Sequence, residues 1–253
     1  MRRTPDVEEL LDGPLDDPAA LIGNLRDLRR VNRWLGGVSL SGGALDALVA
    51  DVWRGPDDDR VVTMLDVGTG GADIPAALVR RARLGHERRR SGRVRAIALD
   101  SRPEILAAVL VADPALEDLV ASADLTIELG DGRSLPYPDR TIDVVHCSLV
   151  VHHLAPEEVV TLVREMVRVA RLGIIVNDLI RGRAAYLGAW LLTRVTTRNR
   201  YTRHDAPMSV RRAYTRAELL AMLAQADLDV VWRGTGLLGH RWALAARARQ
   251  RTS

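Results

Sequence analysis

The sequence predicts an α/β fold with a doubly wound, seven-stranded and mostly parallel sheet. Short apolar segments alternate with helical segments from residue 61 onward, which indicates a sheet with helices on both faces. These segments are continuously apolar, as expected for parallel strands that are buried on both sides. The last two predicted strands follow one another without a helix, so we expect an antiparallel hairpin at one edge of the sheet.

The elements can be placed in order along the chain. The predicted strands cover residues 61–67, 94–100, 125–130, 141–150, 173–179, 227–233 and 241–248. The helical segments between them cover residues 73–84, 103–112, 156–170 and 215–226. Residues 180–214 lack this alternation and contain an apolar helical segment followed by an Arg-rich stretch. We expect this insertion after the fifth strand to form a helical lid over the carboxyl edge of the sheet.

Residues 1–58 are predicted to form an N-terminal arm and a helical cap, ahead of the main domain at 59–253. The residues up to about position 18 are acidic and contain several prolines, which predicts a mobile arm that contributes little to the core. Apolar positions at helical spacing predict an amphipathic helix over 19–35, ended by the glycines that follow it. A second helix is predicted over 43–53, and a polar break separates it from the first strand.

The composition is that of an ordinary globular protein and gives little support to nucleic-acid binding. All 36 basic residues are Arg, which we attribute to GC-rich coding, and the formal net charge is only +3. The single cysteine, Cys147, cannot form an internal disulfide, and its place in an apolar strand favours a core position. No apolar run has the length of a signal peptide or a membrane span. We therefore expect a cytoplasmic protein, monomeric or homodimeric, without a nucleic-acid partner.

The segment LDVGTGGADIP, residues 65–75, joins the first strand to a helix and predicts a ligand-binding loop. Glycines let the backbone turn tightly and approach a ligand, and the helix N-terminus behind them offers free N–H groups. The dinucleotide fingerprint G-x-G-x-x-G would require glycine at position 73, where this chain has Asp73. Asp66, two residues before Gly68, suits the ammonium of an amino acid better than a pyrophosphate. A zwitterionic, nucleotide-like ligand is therefore favoured over a dinucleotide.

This loop resembles the first motif of the class I S-adenosylmethionine-dependent methyltransferases, an acidic residue followed by G-x-G-x-G. Gly68 and Gly70 match that motif, whereas the third glycine is displaced to Gly71, with Ala72 in its usual place. The segments ALDSRPEIL and GDGRSLPYPDRTIDVVHCSLVVHHL resemble the next motifs in order and spacing, so the resemblance covers roughly residues 60–180. It implies an enzyme with the Rossmann-like methyltransferase fold and S-adenosylmethionine as its cofactor.

The resemblance also implies a set of cofactor contacts. Asp100, at the end of the second strand, would receive both ribose hydroxyls, Asp131 would lie near the adenine amino group, and Ser148 would lie under the sulfonium. The full set of predicted cofactor-binding residues is Asp66, Gly68, Thr69, Gly70, Gly71, Asp100, Ser101, Arg102, Asp131, Gly132 and Ser148.

Two further segments are similar to the small-molecule branch of this superfamily. LRRVNRWLGGVSL resembles the ubiquinone and menaquinone biosynthesis C-methyltransferases, and HDAPMSVRRAYTRAELLAML resembles bacterial enzymes that methylate phenolic or polyketide products. We therefore expect O-methylation of a phenolic, quinol or polyketide-type acceptor. C-methylation of a similar acceptor and methylation of RNA or protein are the alternatives, although no N-P-P-Y-like amino-methylating motif is present. A non-catalytic binding module and an NAD-dependent oxidoreductase also stay open.

Three histidines are candidate bases for such a reaction. His204 lies in the predicted lid, and His152 and His153 follow the fourth strand. A phenol with a pKa of about 10 is barely ionised at neutral pH, so a neutral imidazole could accelerate its methylation about 10²–10⁴-fold. Each histidine also has a structural alternative, as a cap of a helix or a turn.

The predicted lid supplies candidate acceptor-binding residues as well. These are Tyr186, Trp190 and Asp205, since an apolar helix with aromatic side chains suits an aromatic or greasy molecule. The Arg-rich stretch from 194 to 212 favours a solvated face, with a site for an anionic acceptor as the alternative. The Asp, Glu and His residues form no tight ligand cluster along the sequence, so we expect a metal-independent enzyme.

Overall fold

The computed structural model describes residues 1–53, 60–87, 92–236 and 238–249, so the predicted polar break at 55–59 lies outside the described residues. The strands are β1 Val61–Val67, β2 Arg93–Asp100, β3 Leu125–Leu129, β4 Ile142–Ser148, β5 Ala170–Leu179, β6 Leu228–Thr235 and β7 Arg241–Ala248. The α-helices among the described residues are α1 Pro18–Trp34, α2 Gly37–Trp53, α3 Asp73–Glu87, α4 Pro103–Ala112, α5 Glu117–Ala121, α6 Pro156–Val169, α7 Arg183–Thr196, α8 Arg200–Arg212 and α9 Arg216–Leu223. Short 3-10 turns cover Leu10–Asp12, Pro114–Leu116, Val151–His153 and Ala224–Ala226.

The sheet has the strand order β3-β2-β1-β4-β5-β7-β6, which confirms the predicted doubly wound architecture. Neighbouring strands are parallel except at β7, which runs antiparallel to both β5 and β6, as the predicted terminal hairpin requires. The strand order reverses between β1 and β4. In open α/β sheets, ligands bind outside the carboxyl ends of the strands at such a reversal, so this position is where a site is expected.

Helices cover both faces of the sheet, which explains why the central strands are apolar throughout. Val145 of β4 packs with Val163 of α6 on one face, whereas its neighbour Val144 packs with Leu45 of α2 and Leu78 of α3 on the other. Burying one such side chain contributes about 1.5–3 kcal/mol to folding, so both helical layers stabilise the sheet. In the described part of the chain no single helix is long and apolar enough to cross a membrane, although α1 and α2 meet the criteria as a pair bent by 58°.

Some element boundaries differ from the predicted ones for local reasons. Helix α2 begins at Gly37 rather than at residue 43, and Gly43 lies inside it, where a Cβ atom would come within 2.9 Å of the indole of Trp232. Strand β4 ends at Ser148, since Leu149 has a φ of +58° that interrupts the extended backbone. The Arg-rich stretch covers the end of α7 and all of α8, and α8 is helical although it contains Pro207.

The N-terminal arm is fastened to the carboxyl edge of the sheet. The guanidinium of Arg3 donates to the carbonyl oxygen of Leu154 at 2.9 Å, beside the turn after β4. The backbone N–H groups of Leu10 and Leu11 donate to the carboxylate of Asp205 in α8, at 2.7 and 3.1 Å. The expectation of a mobile arm is therefore wrong, because its hydrogen-bond partners come from segments that lie far away in the sequence.

Candidate functional site

The loop between β1 and α3 turns sharply at two glycines. Gly68 and Gly70 have φ angles of +67° and +54°, a region that side chains rarely adopt. A Cβ atom on Gly68 would lie 2.5 Å from Cγ2 of Val150, so this position has no space for a side chain. Gly71 lies against Leu25 of α1 at an ordinary contact distance of 3.7 Å from the position of a Cβ atom. The free N–H groups at the start of α3 follow directly after this loop.

A cleft of about 240 Å³ opens beside the glycine loop. Gly132 lies at the wall of this cleft, where there is no space for a side chain, because a Cβ atom would lie 2.3 Å from Cγ1 of Val67. The lining is partly apolar and partly polar and consists of Val67, Gly68, Ser101, Gly130, Asp131, Gly132, Arg133, Val150, Leu154 and Leu162. Four of the predicted cofactor residues, Gly68, Ser101, Asp131 and Gly132, therefore share one cleft.

Asp100 ends β2 next to this cleft. Its carboxylate accepts hydrogen bonds from the backbone N–H groups of Gly70, at 2.9 Å, and of Arg102, at 3.0 Å. Burial raises the pKa of Asp100 above its ordinary value, although these N–H groups favour the ionised form. A carboxylate offers about four lone-pair sites, so Asp100 keeps the capacity to accept from further hydroxyl groups.

Asp66 is buried at the end of β1 and is held by two side chains. The hydroxyl of Thr69 donates to one oxygen at 2.6 Å, and Nδ1 of His146 lies 2.5 Å from the other. His146 is fully buried in β4, with Nε2 2.8 Å from Oγ of Ser41 in α2. It was not among the predicted site residues. The signal that could have revealed it is an ionisable residue in an apolar strand, which the parallel register pairs with Asp66.

A fully buried guanidinium extends this polar network. Arg241 of β7 donates to Oδ1 of Asn177 and Oδ1 of Asn32, each at 2.7 Å, and to Oγ of Ser148 at 2.5 Å. Burial lowers the pKa of Arg241 to about 10. Burial also raises the pKa of Asp73 to about 6, although the amide of Asn32 donates to it. The hydroxyl of Ser148 therefore accepts a hydrogen bond within the buried network. Its predicted position under the sulfonium stays a prediction.

The two histidines after β4 each have Nδ1 held by a carboxylate. Nδ1 of His152 lies 2.7 Å from Oδ1 of Asp178 at the end of β5, and Nδ1 of His153 lies 3.0 Å from Oδ1 of Asp12 in the arm. Burial opposes the ionisation of Asp178, but His152 and the backbone N–H of Leu179 keep the pKa of this carboxyl below its ordinary value. Because an ionised carboxylate only accepts hydrogen bonds, each Nδ1 atom donates to its carboxylate, and Nε2 is the atom of each ring left for another partner.

Glu9 of the arm lies between these imidazoles. Its carboxylate oxygens lie 3.7 Å from Nε2 of His152 and 3.9 Å from Nε2 of His153. Burial raises the pKa of Glu9 to about 7, despite the nearby imidazole of His153 and the guanidinium of Arg212. Ligand atoms of Glu9, His152 and His153 lie within 4.8 Å of one another, because the arm folds onto the turn after β4. The sequence showed no tight ligand cluster, since Glu9 is far from the two histidines along the chain.

Residues 65–176 match a family model described as a methyltransferase domain. This segment contains the glycine loop, the cleft and the histidines after β4. This part of the chain matches a methyltransferase domain, and the chain has the fold of the class I methyltransferases. No curated protein is significantly similar to the chain in sequence.

Solved structures share the fold of this chain at low sequence identity. A SAM-dependent methyltransferase from Aquifex aeolicus has a TM-score of 0.56 and 16% identity, over 91% of this chain and 97% of its own. An O-methyltransferase family 2 protein from Planctomyces limnophilus, in complex with apigenin, has a TM-score of 0.55 and 19% identity, over 90% of this chain and 62% of its own. Mitomycin 7-O-methyltransferase has a TM-score of 0.54 and 17% identity, over 81% of this chain and 54% of its own. The chain thus spans less than two thirds of the length of the last two proteins.

Two of the predicted cofactor residues have strong partners within the protein. The guanidinium of Arg102 donates to the carbonyl oxygens of Leu11 and Gly13, at 3.1 and 3.0 Å, so its side chain binds the arm, and its contact with the adenosine stays a prediction. Asp131 lines the cleft, but its carboxylate pairs with Arg133 at 3.0 Å. Hydrogen bonds from Arg133 hold the pKa of Asp131 below its ordinary value. Asp131 is therefore ionised at neutral pH.

A second cavity, of about 510 Å³, lies between the arm and α8. His204 lines it together with Glu9 and Tyr201, and its side chain is 45% exposed. Nδ1 of His204 lies 2.8 Å from Oδ1 of Asp205. Asp205 itself is buried, and both of its oxygens accept from backbone N–H groups of the arm. The carboxylate of Asp205 therefore caps the first turn of the arm, and its contact with the acceptor stays a prediction.

The apolar helix of the insertion, α7, packs against α8. Neither cavity is lined by Tyr186 or Trp190. Trp190 is exposed and its ring lies under the guanidinium of Arg194, at 4.2 Å. Leu187 of the same helix is exposed as well. The prediction that Tyr186 and Trp190 bind the acceptor therefore gains no support from these two cavities and stays a prediction.

Proposed function

We propose that this methyltransferase transfers a methyl group to a hydroxyl oxygen of a small aromatic acceptor, such as a phenol, a quinol or a polyketide-type molecule. One observation carries the proposal: the imidazole of His152, held by Asp178, lies in the turn between Val150 and Leu154, which both line the cleft beside the glycine loop. A proton acceptor and the cofactor cleft therefore adjoin each other at the carboxyl edge.

The residues around the cleft fit S-adenosylmethionine. The positive φ angles at Gly68 and Gly70 turn the backbone tightly, and the Cβ position of Gly70 meets nothing within 4 Å, so a ligand can approach the backbone closely there. Asp100 would accept from the ribose hydroxyls, while Ser101 and Asp131 would lie along the adenosine. Asp66 has further lone pairs for the ammonium, since its present partners, Thr69 and His146, use only part of its capacity. The bound cofactor supplies an electrophilic methyl group on a sulfonium.

The chain's own residues would deprotonate the acceptor. A phenol hydroxyl with a pKa of about 10 is a weak nucleophile at neutral pH until it loses its proton. Nε2 of His152 would receive that proton, and Asp178 would keep Nδ1 protonated and stabilise the resulting imidazolium. Enclosing this step between the sheet edge and the arm would also exclude water from the methyl group.

The acceptor would enter through the cavity between the arm and α8. Its volume of about 510 Å³ is within the range of small-molecule pockets, about 300–1,000 Å³. Glu9 connects this cavity to the histidines, because it lines the cavity and also contacts both imidazoles. His204 would contact the acceptor at the cavity wall. Similarity in fold to an O-methyltransferase solved with apigenin supports an aromatic acceptor.

The test is turnover with a panel of phenols, quinols and polyketides, in which mass spectrometry identifies the methylated atom. We expect His152→Gln to lower kcat by about 10²–10⁴-fold with unchanged affinity for S-adenosylhomocysteine. We expect His204→Ala to lower kcat by less than tenfold. A methyl group found on carbon, or a larger loss in His204→Ala than in His152→Gln, would contradict the proposal.

A further inference from the structure

Glu9, His152 and His153 converge in a group that we name the arm–histidine cluster, and their side chains are of the types that bind metal ions. Nε2 of His152 and Nε2 of His153 lie 3.7 and 3.9 Å from the carboxylate of Glu9, and these distances are too long for hydrogen bonds. Glu9 is only 4% exposed, and within the described part of the chain its Oε1 atom has no hydrogen-bond partner. Burying a polar atom without a partner is unfavourable, so the space between these side chains suits a further group that binds all three of them.

The neighbouring guanidinium does not fill this role. Arg212 approaches Oε1 of Glu9 only to 3.7 Å. It donates instead to the carbonyl oxygen of His153, at 3.0 Å, and pairs with Asp12. Glu9 therefore lacks a direct donor from the nearest cation.

We infer that the arm–histidine cluster is a binding site for a divalent first-row transition metal of the Zn²⁺ type. A cation about 2.0–2.2 Å from its imidazole and carboxylate ligands separates the ligand atoms by about 3–4 Å, close to the distances observed here. Two histidines and one glutamate form a ligand set used by open zinc sites, in which a further position is left for a small molecule. Mg²⁺ is a poor match, because it prefers oxygen ligands.

The surroundings of the cluster match those of a metal site. Metal-binding histidines usually donate their second N–H to a carboxylate, which fixes the ring and its tautomer. Asp178 does this for His152, at 2.7 Å, and Asp12 does it for His153, at 3.0 Å. The arm contributes Glu9 as a ligand and Asp12 as support, so metal binding would fasten the arm to the turn after β4.

The inference goes beyond the proposed function and changes the role of one residue in it. A cation bound to Nε2 of His152 would occupy the lone pair that otherwise accepts a proton. In the metal-loaded protein the acceptor hydroxyl would then bind at the open position, where coordination lowers its pKa.

The full chain is first treated with a chelator to remove bound metal. It is then titrated with Co²⁺ in the absence of cofactor and acceptor. We expect one equivalent to bind with the visible absorption of a nitrogen- and oxygen-ligated site, to be displaced by Zn²⁺ and to be unaffected by equimolar Mg²⁺. Glu9→Gln should weaken Co²⁺ binding at least tenfold, and Asp12→Asn should weaken it about 10–100-fold.

The matched control is Glu8→Gln, because Glu8 is the exposed neighbour of Glu9 and lines the same cavity. It should bind Co²⁺ with the affinity of the parent, and affinity for S-adenosylhomocysteine should show that all variants are folded. Failure of the parent to bind one equivalent, or equal losses in Glu8→Gln and Glu9→Gln, would overturn the inference. A protein that binds Co²⁺ but methylates no hydroxyl would instead refute the proposed function and leave the metal site standing.

Discussion

The glycine loop after β1 and the arm–histidine cluster lie at the same edge of the sheet but are built differently. The loop owes its shape to backbone conformation within a few consecutive residues, with positive φ at Gly68 and Gly70. The cluster owes its shape to side chains from the arm, from the turn after β4 and from β5. Changes in the loop should therefore act on cofactor affinity, whereas changes around the arm should act on the acceptor side and leave the cofactor bound.

The largest effect is expected in the loop, from Gly68→Val. The added side chain would clash with Val150 and would have to adopt a strained φ of +67°. Strain of about 3 kcal/mol would lower affinity for S-adenosylhomocysteine roughly 100-fold, as measured by calorimetry. Gly188→Ala in α7 is the control, because an added Cβ there meets nothing within 4 Å. A folded Gly68→Val protein with parental affinity would show that the loop does not hold the cofactor.

On the arm side, Asp205→Ala should release the first turn of the arm. Loss of this carboxylate leaves the backbone N–H groups of Leu10 and Leu11 without their acceptor, at a cost of about 2–3 kcal/mol. Hydrogen exchange should become faster at these two amides while cofactor affinity stays within twofold. His204→Ala provides the control, since its exposed ring contacts the same carboxylate without holding the arm. Equal protection of both amides in Asp205→Ala and in the parent would disprove the capping role.

A smaller loss of cofactor affinity is expected from Asp100→Ala. The variant would lose charge-assisted hydrogen bonds to the ribose, together with the bond from the backbone N–H of Gly70. We expect affinity to fall by about 1.5–3 kcal/mol, and the loss should be confined to cofactor binding rather than to the exchange of arm amides. Calorimetry in parallel with hydrogen exchange tests both statements. If the arm amides lost protection in this variant, the two regions would not be independent.

The smallest effect concerns stability rather than binding. The pKa of Asp73 is raised from 3.8 to about 6 in the folded protein by burial, so the folded state binds more protons than the unfolded state between these values. The contribution of Asp73 to the free energy of unfolding therefore becomes progressively less favourable as pH rises from about 4 to 6. Above pH 6 this contribution stays constant. Asp73→Asn should remove this penalty and raise the free energy of unfolding by about 1–2 kcal/mol at pH 8, with little gain at pH 4. Urea unfolding at both pH values measures this, and a gain of equal size at both would exclude the titration of Asp73 as its cause.

Comparing predicted and observed positions of individual residues shows which interactions can be predicted from the sequence. Gly68 and Gly132 were predicted from their neighbours in sequence, and the structure puts both in one cleft. Arg102 and Asp205 were chosen for their position along the chain, but both side chains bind the arm. His146 escaped prediction because its partner, Asp66, lies on a different strand.

The sequence by itself determined the alternation of strands and helices, the terminal hairpin and the glycine loop. These features depend on apolar periodicity and on the conformational freedom of glycine, both of which act over a few residues. Tertiary structure decided where the arm lies, which carboxylates hold His152 and His153, and that Glu9 faces both of them. Such contacts join side chains from distant segments, and no local pattern specifies them because they exist only once the sheet has brought β4, β5 and the arm to one edge.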